Sequence, residues 1–258
     1  MKIMMVGDVV GSCGRRVFSK YTKKLKQEKN IDIVIVNGEN AAGGKGITEP
    51  VLSELYGAGA DIVTSGNHIW DKKEVLSFID REPYLIRPAN YPFDAPGKGY
   101  CIYPFKAQNI AVINLSGRVF FDVLDDPFQK ADEILNEIKN DANIIIVDFH
   151  AEATSEKLAL AYYLSDRISA LFGTHTHVQT ADERILENRV AYITDVGMTG
   201  PADSILGVKK EIIIKKFLTA MPQKFDVAEG RGVYSAAVAD FNDSGEAKSI
   251  ERILIYEE

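Results

Sequence analysis

The chain holds four histidines, His68, His150, His175 and His177, and each follows a hydrophobic run. Ile62-Val63-Thr64-Ser65 leads into Gly66-Asn67-His68, and an apolar run over 143–148 leads into Phe149-His150. The run over 169–172 leads into Gly173-Thr174-His175-Thr176-His177. Two further runs end in Gly7-Asp8 and in Gly38-Glu39-Asn40. Turn and capping chemistry explains any one of these alone: Gly-Asn is a common turn pair, and Asp8 after Gly7 suits a helix cap. It does not explain five strand ends that carry every imidazole of the chain with selected carboxylates and amides. Loops at the ends of neighbouring strands converge on one pocket.

Pooled, Asp8, Glu39, Asn40, Asn67, His150, His175 and His177 are oxygen and imidazole donors without a thiolate. Such a set suits iron, manganese or zinc rather than calcium or an iron–sulfur cluster. One ion takes about four to six donors, so this set serves two ions only if a ligand bridges. Glu39, with two carboxylate oxygens, is the natural bridge. In His175-Thr176-His177 the imidazoles point the same way on a strand but splay in a turn, where each reaches a different ion. Asp8 and Glu39 bring about −2 and two divalent ions about +4, a surplus aimed at an anion. Two ions about 3.5–4 Å apart generate a bridging hydroxide and clamp a phosphoryl group in line. His68 directly follows a candidate ligand and reads as an unligated general acid that protonates the leaving oxygen. Asp148, inside its apolar strand, reads as a group that orients an imidazole.

The elements that position these residues follow from periodicity. Strands are expected over 2–6, 31–36, 62–64, 143–148 and 169–172. Helices are expected over 15–29, 49–57 (Thr48 capping, Pro50 in the first turn), 71–79 (Asp71 capping), 127–140, 156–164 (Ser155 capping) and 209–218. Successive β-α units imply parallel strands with right-handed crossovers. Hairpins are expected over 100–105/110–115 and 184–186/190–193, a loop over 194–201, and closing strands over 225–227, 232–240 and 250–256. The glycine-rich stretch from Asn37 to Gly46 fails the Walker spacing, since Gly46 rather than Ser or Thr follows Lys45. Arg87, Asn90, Tyr91 and the loop over 195–204 are position-based candidates for lining the pocket.

At 258 residues and 46% hydrophobic, the chain buries a sizeable core, and no linker divides it, so one domain over 1–258 is expected. No apolar stretch approaches the roughly 18 residues that cross a bilayer. Two cysteines make neither a disulfide framework nor a thiolate site, which fits a reducing cytoplasm. The net charge of −7 excludes an extended nucleic-acid surface but not a small phosphate-bearing substrate. The expected architecture is α/β: an early half of β-α units and a late half of hairpins suggest two mixed sheets packed together with helices outside.

Gly7-Asp8, Gly38-Glu39-Asn40, Gly66-Asn67-His68, His150 and Gly173-Thr174-His175-Thr176-His177 resemble the motifs of the calcineurin-like metallophosphoesterase superfamily, in that superfamily's order. Two departures are informative. The superfamily's Asp-x-His is Asp8-Val9-Val10 here, and its Gly-Asp-x-x-Asp is Gly38-Glu39-Asn40. With Gly7-Asp8-Val9-Val10-Gly11, the stretch from Asn37 to Gly44 and that from Thr194 to Gly200, these departures resemble a bacterial branch, the YmdB-like phosphodiesterases, over residues about 5 to 205. The resemblance implies a four-layer α/β/β/α sandwich and a dinuclear centre, foremost di-iron, that hydrolyses 2′,3′-cyclic nucleotides or other small phosphodiesters. By position, Asp8, Glu39, Asn40 and His177 would hold one ion and Glu39, Asn67, His150 and His175 the other, with His68 as proton donor. It further implies a cytoplasmic enzyme linked to regulation of gene expression and biofilm behaviour, in a branch where homo-oligomers are common. Two other readings stay open on the residues: a phosphomonoesterase on the same scaffold, and a metal- or nucleotide-binding regulator with little turnover, favoured by Val10 standing where a ligand is usual.

Overall fold

The first strand, β1 (Lys2–Val6), shows how the layers arise. Its side chains alternate: Met4 and Val6 pack outward against a helical layer, while Ile3 and Met5 pack inward against a second sheet. The structure is a computed structural model that describes residues 1–121 and 123–258.

After β1 come β2 (Asp8–Val9), α1 (Gly11–Glu28), β3 (Ile33–Asn37), α2 (Glu49–Ala58) and β4 (Ile62–Thr64). The middle of the chain gives β5 (Tyr100–Phe105), β6 (Gln108–Ser116), α3 (Pro127–Glu137), β7 (Ile144–His150), α4 (Thr154–Tyr163) and β8 (Ala170–Thr174). It ends with β9 (Arg184–Leu186), β10 (Val190–Ile193), β11 (Met198–Pro201), α5 (Lys210–Thr219), β12 (Gly232–Phe241) and β13 (Ala247–Tyr256).

Among the described residues one sheet runs β2-β11-β12-β1-β3-β4 with β13 along β12, and the other runs β5-β6-β7-β8-β10-β9. In the second sheet β6, β7, β8 and β10 are parallel, and antiparallel β5 and β9 close its edges. In the first, β1, β3 and β4 are parallel, as the β-α rhythm predicts. Helices α1 and α2 cover the first sheet through residues such as Val17, Phe18, Leu52 and Leu55. Helices α3 and α4 cover the second through Ala131, Ile134, Leu160 and Ala161. Between the sheets lie Ile3, Ile33, Ile35, Ile110, Ile144 and Phe172. The four-layer α/β/β/α sandwich is therefore present.

Several local expectations need correction. The first sheet takes the early β-α units and the last hairpin together, while the second is built from the middle of the chain. The loop over 194–201 contains β11, whose Met198 and Thr199 pair with Asp8 and Val9; a ladder this short leaves no periodic signal. The helix expected over 71–79 is two 3₁₀ turns, Lys73–Ser77 and Ile79–Arg81. Asp71 does not cap it, because its carboxylate faces His68 and Lys45. Thr48 occupies the N-cap of α2 without a side-chain cap bond, and Ala153 rather than Ser155 precedes α4. The strand expected over 225–227 is reduced to one bridge between Val208 and Val227.

Candidate metal centre

The predicted residues meet where the two sheets face each other. Asp8 lies just past β1, Glu39 and Asn40 past β3, and Asn67 and His68 past β4. From the opposite sheet, His150 ends β7, and His175 and His177 follow β8. His175 and His177 have φ of 102° and 64°, so they sit in a turn, as splaying requires.

Four lone-pair atoms crowd one point. His150 Nε2 is 3.2 Å from Glu39 Oε1, 3.1 Å from Asn67 Oδ1 and 3.1 Å from His175 Nδ1. The outward hydrogen bonds fix which nitrogen of each ring faces in. Thr174 Oγ1 donates to Asp148 Oδ1 at 2.8 Å, so it accepts from His150 Nδ1–H at 2.9 Å. His175 Nε2 lies 3.2 Å from Glu152 Oε2, an acceptor, which leaves its Nδ1 to face inward. His177 Nδ1 donates to the Leu206 carbonyl at 3.0 Å, leaving Nε2 on the side of Asp8 Oδ1, 3.9 Å away. Each imidazole is thereby oriented as second partners orient metal ligands.

Two donor groups result, Glu39-His150-His175 and Asp8-Glu39-His177, each with ligand atoms within 4.8 Å of one another and with Glu39 in both. Among the described residues the buried oxygens Asp8 Oδ1 and Asn40 Oδ1 have no hydrogen-bond partner, while Asn40 Nδ2 donates to the Gly44 carbonyl at 3.1 Å and so turns the oxygen away. Such orphaned acceptors cost about 1–3 kcal/mol each unless a cation meets them. Gly66 keeps the space open: a Cβ there would lie 2.2 Å from Glu39 Oε2 and 2.4 Å from His150 Nε2. Orphaned oxygens, inward lone pairs and open space fit a bound cation.

Electrostatics point the same way. Burial raises the Asp8 carboxyl to about 6 against the pull of His177 and His150. Burial also opposes the charge on Glu39, but His150 overrides it and holds that carboxyl at about 2. Burial and the charge of His150 push His175 down to about 3. Without a metal, a proton on His150 serves as the local cation.

His68 stands apart from the donor groups. Its backbone N–H donates to Glu39 Oε2 at 3.2 Å, and its ring Nδ1 lies 3.1 Å from Asp71 Oδ2. The ring lines a cavity of 490 Å³ together with Glu39, Asn40, His175 and His177. Of the position-based candidates, Arg87 and Asn90 lie elsewhere: Arg87 donates to the carbonyls of Pro88, Ala95 and Pro96, and Asn90 to those of Ser116 and Asp125. Tyr91 packs edge-on against Trp70. The cavity is instead completed by Lys45, Glu152, Ile205, Leu206, Lys216, Phe217 and Phe225. Of these, Ile205 and Leu206 lie just past the expected 195–204 loop.

Sequence reasoning also missed Lys157. It is fully buried, and its Nζ lies 2.8 Å from Asp195 Oδ2 and 2.9 Å from the Thr174 carbonyl. Asp195 in turn accepts from the Thr176 and Gly197 amides at 3.0 and 2.8 Å. The pair thus anchors both ends of the turn that carries His175. Its signal was a lysine three residues before Leu160 and four before Ala161, inside the buried stripe of α4.

Residues 4–253 match the sequence profile of a family described as YmdB-like protein. The chain belongs to the YmdB-like family. It is 55% identical over 256 residues to the 2′,3′-cyclic-nucleotide 2′-phosphodiesterase of Bacillus subtilis (strain 168), covering 99% of this chain and 97% of that one. Its fold superposes on a hypothetical protein from Thermus thermophilus with a TM-score of 0.95 at 40% identity, over 100% of both chains. A novel phosphatase from Mycoplasma pneumoniae gives 0.94 at 33% identity, over 100% of this chain and 94% of that one. The match to the family profile thus leaves out only residues 1–3 and 254–258, and no helix among the described residues is long and apolar enough to cross a membrane.

Proposed function

We propose that the chain is a dinuclear-metal phosphodiesterase that hydrolyses 2′,3′-cyclic nucleotides in the cytoplasm. The observation that carries this is Glu39 shared between two donor groups into which three tautomer-fixed imidazoles point. The B. subtilis relative, by its name, acts on such nucleotides.

Asp8, Glu39, Asn40 and His177 would hold one ion, and Glu39, Asn67, His150 and His175 the other; this donor set suits iron first, with manganese or zinc as substitutes. Bound there, the ions would supply an acidified water and positive charge for the phosphoryl oxygens. Hydrolysis would join a water oxygen to phosphorus, break the P–O2′ bond and release a nucleoside 3′-phosphate. His68 gives the proton that the leaving 2′ oxygen requires. Asp71 orients the ring through Nδ1, leaving Nε2 as the atom that delivers it. Ile205, Leu206, Val208 and Ile213 form an apolar wall of the cavity.

The test combines metal analysis with turnover. Protein purified anaerobically should hold about two ions per chain and open a 2′,3′-cyclic nucleotide faster than it cleaves a phosphomonoester. His68→Ala should keep both ions and lose about 10²–10⁴-fold in kcat. Unchanged turnover removes His68 from its role, and faster monoester cleavage makes the chain a phosphomonoesterase.

A further inference from the structure

The 490 Å³ cavity at the metal centre adjoins a second one of 670 Å³, and both are lined by Lys45, Lys216 and Phe225. Ala220, Met221, Pro222, Gln223 and Lys224 complete the second. Among the described residues its lining carries three lysines and no carboxylate, in a chain with 37 acidic against 30 basic residues. Among the described residues, neither Lys216 nor Lys224 has a carboxylate at ion-pair distance, and Lys45 has Asp71 only at 3.6 Å across an exposed contact. Such a contact neutralises little of its charge. Lys216 Nζ instead stands 4.8 Å from the centroid of the Phe225 ring, and Phe217 beside it is 82% exposed.

A cyclic mononucleotide brings one phosphate, which the metal centre takes. It offers nothing anionic to a second, lysine-lined chamber. Exposed aromatic faces beside unpaired cations are what single-stranded nucleic acid requires: cations for the backbone and rings on which a base stacks, about 1–3 kcal/mol per base. The net charge of −7 confines such binding to this local patch, and hence to the last nucleotides of a strand.

We propose that the site accepts the 3′ end of a short oligoribonucleotide bearing a 2′,3′-cyclic phosphate. The preceding phosphodiester is held by Lys45, Lys216 and Lys224, and the preceding base stacks against Phe217 or Phe225. This rests on the phosphodiesterase reading above. The terminal reaction is the same: water adds to phosphorus, the P–O2′ bond breaks, and the strand leaves with a 3′-phosphate.

The experiment compares kcat/KM of the metal-loaded enzyme on three substrates: 2′,3′-cyclic AMP, its 5′-phosphorylated form, and the dinucleotide ApA ending in a 2′,3′-cyclic phosphate. The dinucleotide should be favoured over cyclic AMP by at least about tenfold, and the preference should shrink as salt rises. In Lys216→Ala/Lys224→Ala the dinucleotide-to-mononucleotide ratio should fall towards one. Equal kcat/KM for the three substrates overturns the proposal while cyclic AMP turnover leaves the phosphodiesterase reading standing. A 5′-phosphorylated mononucleotide as good as the dinucleotide also overturns it, because a phosphate without a further nucleotide then suffices. A preference untouched by the double substitution removes the lysines from the site. Turnover of none of the three sinks the parent reading, and this one with it.

Discussion

At the scale of single residues, the orientation of His150 matters most. Its ring is set by Thr174, and Thr174 by Asp148, whose other oxygen accepts from Thr64 and Asn37. Thr174→Val removes the acceptor for Nδ1–H while keeping the volume. Metal affinity, read by competition with a chelator, should weaken about 10–100-fold, and Thr174→Ser should restore it. A valine variant with native affinity would make the relay incidental. The same imidazole sets a pH dependence. Burial alone lowers its pKa, but the Glu39 carboxylate, helped by Asp8 and Asp148, overrides this and raises it to about 9 from the ordinary 6.5. The folded value lies above the unfolded one, so this stabilisation of the metal-free protein is full below pH 6.5 and is lost as pH rises through about 9. A cation displaces that proton, so the metal-induced gain in melting temperature should grow over the same interval. Paired thermal melts, with and without manganese, check this; a gain that shrinks with rising pH contradicts it. That these residues cluster was legible in the sequence because every histidine follows an apolar run. Which nitrogen faces inward was not legible, because Leu206 and Glu152 reach the rings only through the fold.

At the scale of elements, the turn after β8 depends on helix α4. Non-glycine residues at positive φ are uncommon, and His175 and His177 both adopt it. The buried Lys157–Asp195 pair holds that turn through the Thr174 carbonyl and the Thr176 amide. Removing one partner leaves an unpaired buried charge, which costs about 3–5 kcal/mol. Lys157→Met should therefore lower unfolding stability by about that amount and weaken metal binding as well. Lys157→Met/Asp195→Asn should cost less than the two single changes added together. Denaturant melts of the four proteins measure this, and strict additivity would mean that the two groups act independently. Apolar runs and glycine punctuation made the parallel strands visible in the sequence. The β2–β11 ladder was invisible, because its two short strands lie far apart in the chain and each is too short to show a period. Lys157 was hidden for a related reason: a lysine on a helix reads as solvated until a buried carboxylate from a distant loop is placed beside it.

At the scale of the whole molecule, the candidate ligands divide between the sheets. Asp8, Glu39, Asn40 and Asn67 come from one, and His150, His175 and His177 from the other. Bound ions would therefore clamp the two halves of the sandwich. Stripping them should lower the melting temperature; free metal at 100 times its dissociation constant restores about 2.7 kcal/mol. An apoprotein that melts with the loaded one would show that the core alone joins the sheets. The layered architecture was legible from alternating β and α signals, but the chain's return to its first sheet was not. β1 is paired with β12, and Asp8 is held beside Met198. During synthesis the first strand thus leaves the ribosome long before its neighbour on that side exists. Contacts of such sequence separation form late. Asp8 cannot take its place until Met198 and β12 have been made, so a nascent chain that stops short of them has no complete site in which to capture a metal.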